Sequence, residues 1–246
     1  MARRRAPDRT RQTQPARPWR GRLWRGLLVL VAGVSIFLLL SWQSVYLVHV
    51  LALRGDEPQR SAYMLAHERL TGREPLQHWV PIDRISPELQ RAVLIAEDAR
   101  FYSHWGVDPF ELADAIGDSI EAGRVVRGAS TITMQLARNL FLSGERRVSR
   151  KLQEMVIALM MEAVLDKRRI LEIYLNVAQW GGRVYGIGAA AEHYFATDAS
   201  ALTAAQSAWL APMLPAPAYY DLHRDTPGLR ARRAAVLRVM QHAQDP

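Results

Sequence analysis

The stretch Arg91 to Asp108, R-A-V-L-I-A-E-D-A-R-F-Y-S-H-W-G-V-D, decides how the rest of the chain is read. It sets two carboxylates, Glu97 and Asp98, at the end of an apolar helical run, where Phe101, His104 and Gly106 break the pattern. Just upstream, Ser86-Pro87-Glu88 reads as a helix start: a serine oxygen to cap free amides, proline at the first helical position, and an acid in the first turn. Leu89, Ala92, Val93 and Ala96 then recur at helical spacing and form the expected buried stripe. Glu97 lies about 80° from Leu89 on a wheel of roughly 100° per residue, which puts it on the margin of that stripe. Partial desolvation there raises a carboxyl pKa toward the range where it takes and returns a proton near neutrality. On this stretch alone, a reactive acid at a cleft edge and a solvated Glu-Asp pair closing a helix both fit.

Working outward, 49% hydrophobic residues over 246 positions suffice for one sizeable core, one domain with appendages. The net charge of +8 suggests nucleic acid until its distribution is read. Residues 1–25 hold nine arginines and one acid, Asp8, and account for all of the excess. That Arg- and Pro-rich tail lacks apolar periodicity, so it reads as disordered, and a folded basic groove for nucleic acid is not supported. From Gly26 to Leu53 there is no Asp, Glu, Lys or Arg. A bilayer core needs about 20 apolar residues, so the chain is expected to cross once, over residues 26–50, with Trp24, Trp42 and Tyr46 as interfacial anchors. A cleaved signal peptide competes, but the run is long and no small-x-small cleavage site stands out beyond it. The arginines before the span set that end in the cytoplasm and everything beyond about Arg54 on the other side. With no cysteine, the outer part uses no disulfide and no thiol chemistry.

Residues 51–75 read as a membrane-proximal connection and 76–246 as the main domain. Trp79-Val80-Pro81-Ile82 is a brief extended lead-in. From Ser86 onward helical periodicity dominates, with helices expected near 86–99, 109–122, 130–141, 148–166, 168–179, 185–195, 201–213 and 227–242, so the fold class is mainly α. Phe110, Leu112, Ala113 and Ile116 make an apolar face that fits either core packing or contact with a bilayer. In Arg127-Gly128-Ala129-Ser130-Thr131-Ile132-Thr133, glycine and hydroxyls precede a helix, which makes either an anion site or an ordinary cap on a core helix. Gln135 and Arg138, three residues apart, share a face of that helix. In the next helix Leu152, Val156, Leu159 and Ala163 mark the expected buried stripe, with Arg150, Lys151 and Glu154 opposite. Those three are either a solvated ion pair or a basic cluster for a phosphate. In Lys167 to Asn176, Ile170, Leu171, Tyr174 and Leu175 read as core, and the helix as chiefly scaffold.

These blocks, in this order, resemble the family 51 glycosyltransferases of bacteria, and among them the monofunctional biosynthetic peptidoglycan transglycosylases. The runs E-D-x-x-F-x-x-H-x-G at 97–106, G-A-S-T-I-T at 128–133, R-K-x-x-E at 150–154, K-x-x-I-L-E-x-Y-L-N at 167–176 and G-x-x-A-A-A-x-x-Y-F at 186–195 carry the resemblance over residues 79–217. No S-x-x-K with the partner motifs of a penicillin-binding transpeptidase is present. The resemblance implies a lysozyme-like transglycosylase domain behind one N-terminal transmembrane helix. The implied reaction polymerises lipid II into β-1,4-linked glycan, with inversion and release of undecaprenyl pyrophosphate.

By the same resemblance, Glu97 is the general base, Asp98 supports it, and Glu154 is the second essential acid. Ser130, Gln135 and Arg138 line the donor site, and Arg150 and Lys151 bind phosphate. A divalent cation, Mg or Mn, is the only cofactor implied. The implied partners are lipid II, the growing glycan chain, the membrane and other cell-division or cell-wall synthases, with the catalytic domain on the periplasmic side of the inner membrane. Two residues depart from the family pattern: Ala129 replaces a glycine, and Met134 stands where glutamine is usual, which removes a polar contact to the donor. Two other classes stay open: a lysozyme-like lytic enzyme, which has no use for the Arg150-Lys151 cluster, and a catalytically silent anchored scaffold, which has no need of both acids.

Overall fold

The computed structural model describes residues 19–124, 128–142 and 147–242, so most of the basic tail and Arg127 lie outside the described residues. Two units divide the chain, Met1–Val45 and Tyr46–Pro246. The described part of the first is the leading portion of α1 (Trp19–Ala52). Within α1, Trp24–Ala52 has a mean hydropathy of 2.1, long and apolar enough for one membrane crossing.

The second unit opens with the end of α1, where Val50 and, just past the helix, Leu53 join the hydrophobic core. Arg54 Nε donates to the carbonyl of Val164, and Arg169 donates to those of Leu53 and Asp56. The stretch 51–75 carries α2 (Ala62–Thr71), capped by Ser61, which accepts from Met64 N. β1 (Leu76–Gln77) and β2 (Val184–Tyr185) form a two-stranded parallel sheet, with Leu76 opposite Val184. Every other long element is helical: α3 (Pro87–Glu97), α4 (Pro109–Glu121), α5 (Ile132–Phe141), α6 (Val148–Val164), α7 (Lys167–Val177), α8 (Ile187–Phe195), α9 (Ala204–Leu210), α10 (Pro217–Leu222) and α11 (Pro227–His242). The mainly α expectation therefore holds. Helix α5 is the hub: α2, α6 and α7 pack on it, while α3 packs against α9 and α11.

Three local readings are corrected. Ser86 does not cap α3; its hydroxyl donates to the carbonyl of Leu202 at 2.7 Å, so a distant loop takes the oxygen that local signals assigned to the helix end. Helix α5 starts at Ile132 rather than residue 130, because Thr131 is its cap and accepts from Met134 N at 3.1 Å. Most of all, α6 is turned round. Leu152 is 58% exposed and Val156, Leu159 and Ala163 are exposed with it, while Glu154, Ile157, Ala158, Met161 and Glu162 are buried. Two acids go inward because each meets cations there, Glu154 with Arg150 and Lys151, and Glu162 with Lys167 at 2.8 Å. The apolar face of α4 is also uncovered, with Phe110 68% exposed and Ile116 beside it, so core packing is not what that face is for.

Gly106 and Asn176 explain two motif positions. Gly106 has φ of 76°, and a Cβ there would stand 3.0 Å from Glu162 Cγ and 3.1 Å from the backbone of Ala158. This close approach lets its carbonyl accept from the Thr131 hydroxyl at 2.5 Å, tying the loop after α3 to the start of α5. The fully buried Asn176 side chain accepts from Val80 N and donates to Val80 O, both at 2.8 Å, and so fixes the lead-in strand on the scaffold helix α7.

Candidate active site

Asp98 is the residue that follows α3, and it is buried. Its carboxylate accepts from His104 Nε2 at 3.0 Å and from the backbone N–H of Ile132 at 2.9 Å. The positive end of α5 thus binds an anion, as expected, but the anion is the protein's own Asp98. The result is a rigid joint between the end of α3 and the start of α5, and Glu97 stands on that joint. Glu97 Oε2 accepts from Gln135 Nε2 at 2.8 Å, and Gln135 Oε1 in turn accepts from the Tyr174 hydroxyl at 3.0 Å. Burial pushes the Glu97 carboxyl up to about 7, against the opposing pull of the Gln135 hydrogen bond and the charges of Arg138 and Arg232. The wheel reading that put Glu97 at the stripe margin is what the packing delivers: Leu89, Ala92 and Val93 are the residues α3 buries.

The second cluster grows from α6. Glu154 is 1% exposed, with one carboxylate oxygen paired to Arg150 and the other 3.1 Å from Lys151 Nζ. Lys151 also donates to Ser130 Oγ at 2.5 Å. Burial, together with the charges of Arg138 and Arg150, pushes Lys151 down to about 8. So Arg150, Lys151 and Glu154 are not a solvated surface pair; they are a half-enclosed group with more positive than negative charge, reaching across to the segment before α5.

Two clefts meet here, each of about 230 Å³. Glu97, Asp98, Arg100, Ala129 and Ser130 line one, and Tyr63, Gln135, Arg138, Arg150 and Tyr174 line the other. The hydrogen bond from Gln135 to Glu97 joins the two linings. Arg138 lies with its guanidinium 5.8 Å from the centre of the Tyr63 ring, and its Nε is buried without a hydrogen-bond partner among the described residues. Gln135 and Arg138 do share a face, and that face lines the second cleft.

The family profile for transglycosylases matches residues 65–241. The chain belongs to the transglycosylase family. Its relatives include the biosynthetic peptidoglycan transglycosylase of Chromobacterium violaceum, 45% identical over 224 residues, which are 89% of this chain and 97% of the relative. That of Nitrosomonas eutropha is 43% identical, covering 96% of this chain and 99% of the relative. That of Alcanivorax borkumensis is 49% identical, covering 82% and 81%.

Within this transglycosylase both departures from the family pattern are placed. Met134 is buried on the core side of α5, so its thioether replaces nothing in either cleft. Ala129 lines the Glu97 cleft on backbone without positive φ, so its methyl is accommodated there. Tyr63 and Tyr174 are among the cleft residues that the sequence reading does not find. Tyr63 belongs to the stretch that reads as a connection, and Tyr174 reads as core; its ring is buried, and its hydroxyl reaches the site. Among the described residues no three His, Asp or Glu side chains converge as a metal site. Glu154, the acid a cation would need, has both oxygens engaged by Arg150 and Lys151. Among the described residues the side chains present do not fit a divalent ion.

Proposed function

We propose that this transglycosylase is a peptidoglycan glycosyltransferase that polymerises lipid II, with Glu97 as the general base. The observation that carries the reading is the half-buried Glu97 carboxyl, hydrogen-bonded across the border of a cleft that also holds Arg138 and Arg150 and pushed up to about 7 by desolvation. A base is most useful when its pKa lies near working pH. The acceptor sugar 4-hydroxyl gives its proton to Glu97, and its oxygen attacks the anomeric carbon of the growing chain. The bond from that carbon to the pyrophosphate breaks, with inversion to a β-1,4 link. The departing pyrophosphate needs charge stabilisation rather than a proton, and Arg138, Arg150 and Lys151 supply it. Asp98 acts on Glu97 through position, by locking the α3–α5 joint. Glu154 keeps Arg150 and Lys151 in place.

Both substrates are lipid-linked, and that accounts for the anchor. The arginine-rich tail sets the N-terminus in the cytoplasm and the catalytic unit on the periplasmic face of the inner membrane. The exposed stripe of Val148, Leu152 and Leu159 on α6 and the exposed face of α4 are read as contacts with the outer leaflet. Other wall synthases working on the same strands are the protein partners this reading implies.

The test is incubation of the detergent-solubilised chain with labelled lipid II across pH 5.5 to 9, with muramidase digestion of the product. The expected result is muramidase-sensitive polymer with a kcat/KM profile that rises through about pH 7 as Glu97 ionises and falls above about pH 8 as Lys151 loses its proton. Release of fragments from preformed glycan without polymer would replace this reading with a lytic one.

A further inference from the structure

We propose that Tyr174, a residue with the look of plain core, is a positioning residue for Glu97: its hydroxyl fixes which end of the Gln135 amide faces the base. The proposal rests on Glu97 being that base.

A primary amide presents an acceptor at one end and donors at the other, and the two ends fill the same space. Here the Tyr174 O–H donates to Gln135 Oε1 at 3.0 Å, which turns Nε2 toward Glu97 Oε2 at 2.8 Å. That orientation favours a carboxylate, because a carboxylate only accepts. Reversed, Gln135 would offer its carbonyl oxygen to Glu97, which suits the protonated acid. The reversal would also take from a buried phenol the acceptor for its proton. Tyr174 is 1% exposed, and burial, then the charge of Glu97, hold its hydroxyl well above the ordinary phenol range. It therefore stays a donor through every pH at which the enzyme works. Tyr174 sits on α7, Gln135 on α5 and Glu97 at the end of α3, so the relay spans three elements that pack around one core.

The other groups acting on Glu97 are Arg138 on α5, Arg232 on α11 and Asp98 beside it, whereas the Tyr174 hydroxyl hydrogen-bonds Gln135. In Tyr174→Phe the ring stays and the amide is freed to turn. Protonated Glu97 then gains a partner it lacked, so the acid limb of the kcat/KM profile is expected to move up by about 0.5 to 1 pH unit. In a Gln135→Leu background the same substitution is expected to leave the limb where it is. If Tyr174 is merely structural, Tyr174→Phe lowers activity by the same factor at every pH, and that result overturns the proposal. Should the Phe variant fold poorly, 3-fluorotyrosine at position 174 gives a stronger donor of nearly the same size. Its expected effect is opposite, a limb moved to lower pH, and an unmoved limb again overturns the proposal. Full activity in Glu97→Gln would instead remove the base itself, so the two failures are distinguishable.

Discussion

Glu97→Gln is expected to reduce polymer formation from lipid II by about 10²–10⁴-fold, the range for loss of a positioned general base, while binding of a phosphoglycolipid such as moenomycin stays intact. Glutamine matches the shape and can still meet Gln135 by turning one amide, but it cannot take a proton. Stability supplies a second readout. The folded-state pKa of Glu97, about 7, stands above its ordinary 4.5. Its contribution is therefore fully present below pH 4.5 and lost as pH rises through 7. At pH 8 the ionised wild-type side chain has given up on the order of 1–3 kcal/mol, which a neutral glutamine keeps. The variant should melt higher than wild type at pH 8 and no higher at pH 4. A variant that loses turnover and melts lower at both pH values would point to damage rather than to a missing base. Near-normal turnover would end the general-base assignment.

Arg150→Ala is expected to weaken binding of the same phosphoglycolipid by about 10–100-fold, the worth of one charge-assisted contact to phosphate. The cost has two sources. A guanidinium leaves the cleft that Arg138 shares, and Glu154, almost wholly buried, keeps only Lys151. Arg150→Lys separates them: it keeps a charge for Glu154 and loses the planar fork, so it should recover thermal stability more fully than affinity. Titration with a fluorescently labelled form of that phosphoglycolipid measures one and a melting curve the other. Affinity unchanged in both variants would reduce the cluster to an internal brace.

How much of this was legible in the sequence follows from which interactions are local. The wheel put Glu97 at the edge of the α3 stripe because Leu89, Ala92 and Val93 mark that stripe within one helix, and the fold kept it. Family motifs found Ser130, Arg138 and Arg150, which the fold draws to adjoining clefts, and Lys151, which it bonds to Ser130. What failed had partners far away in the chain. The hydroxyl of Ser86 belongs to Leu202, and Tyr174 reaches Gln135 across 39 positions. On α6, a period of 3.6 marks an apolar face without saying whether protein or lipid covers it. What shows which face turns inward lies outside the helix, in Ser130 bonded to Lys151 and Thr133 bonded to Glu162. The six residues of α10 were too few for periodicity to register.

The reversed helix also bears on how the catalytic unit can be handled. Cutting away the first 45 residues would remove most of the apolar length of α1, yet Val148, Leu152 and Leu159, with Phe110, Ile116 and Ile120, would stay bare. Such a shortened chain would be no ordinary water-soluble enzyme: it would elute as a detergent complex and clump on dilution below the micelle concentration. Solubility would come from rewriting those two faces with charged residues, not from shortening the chain.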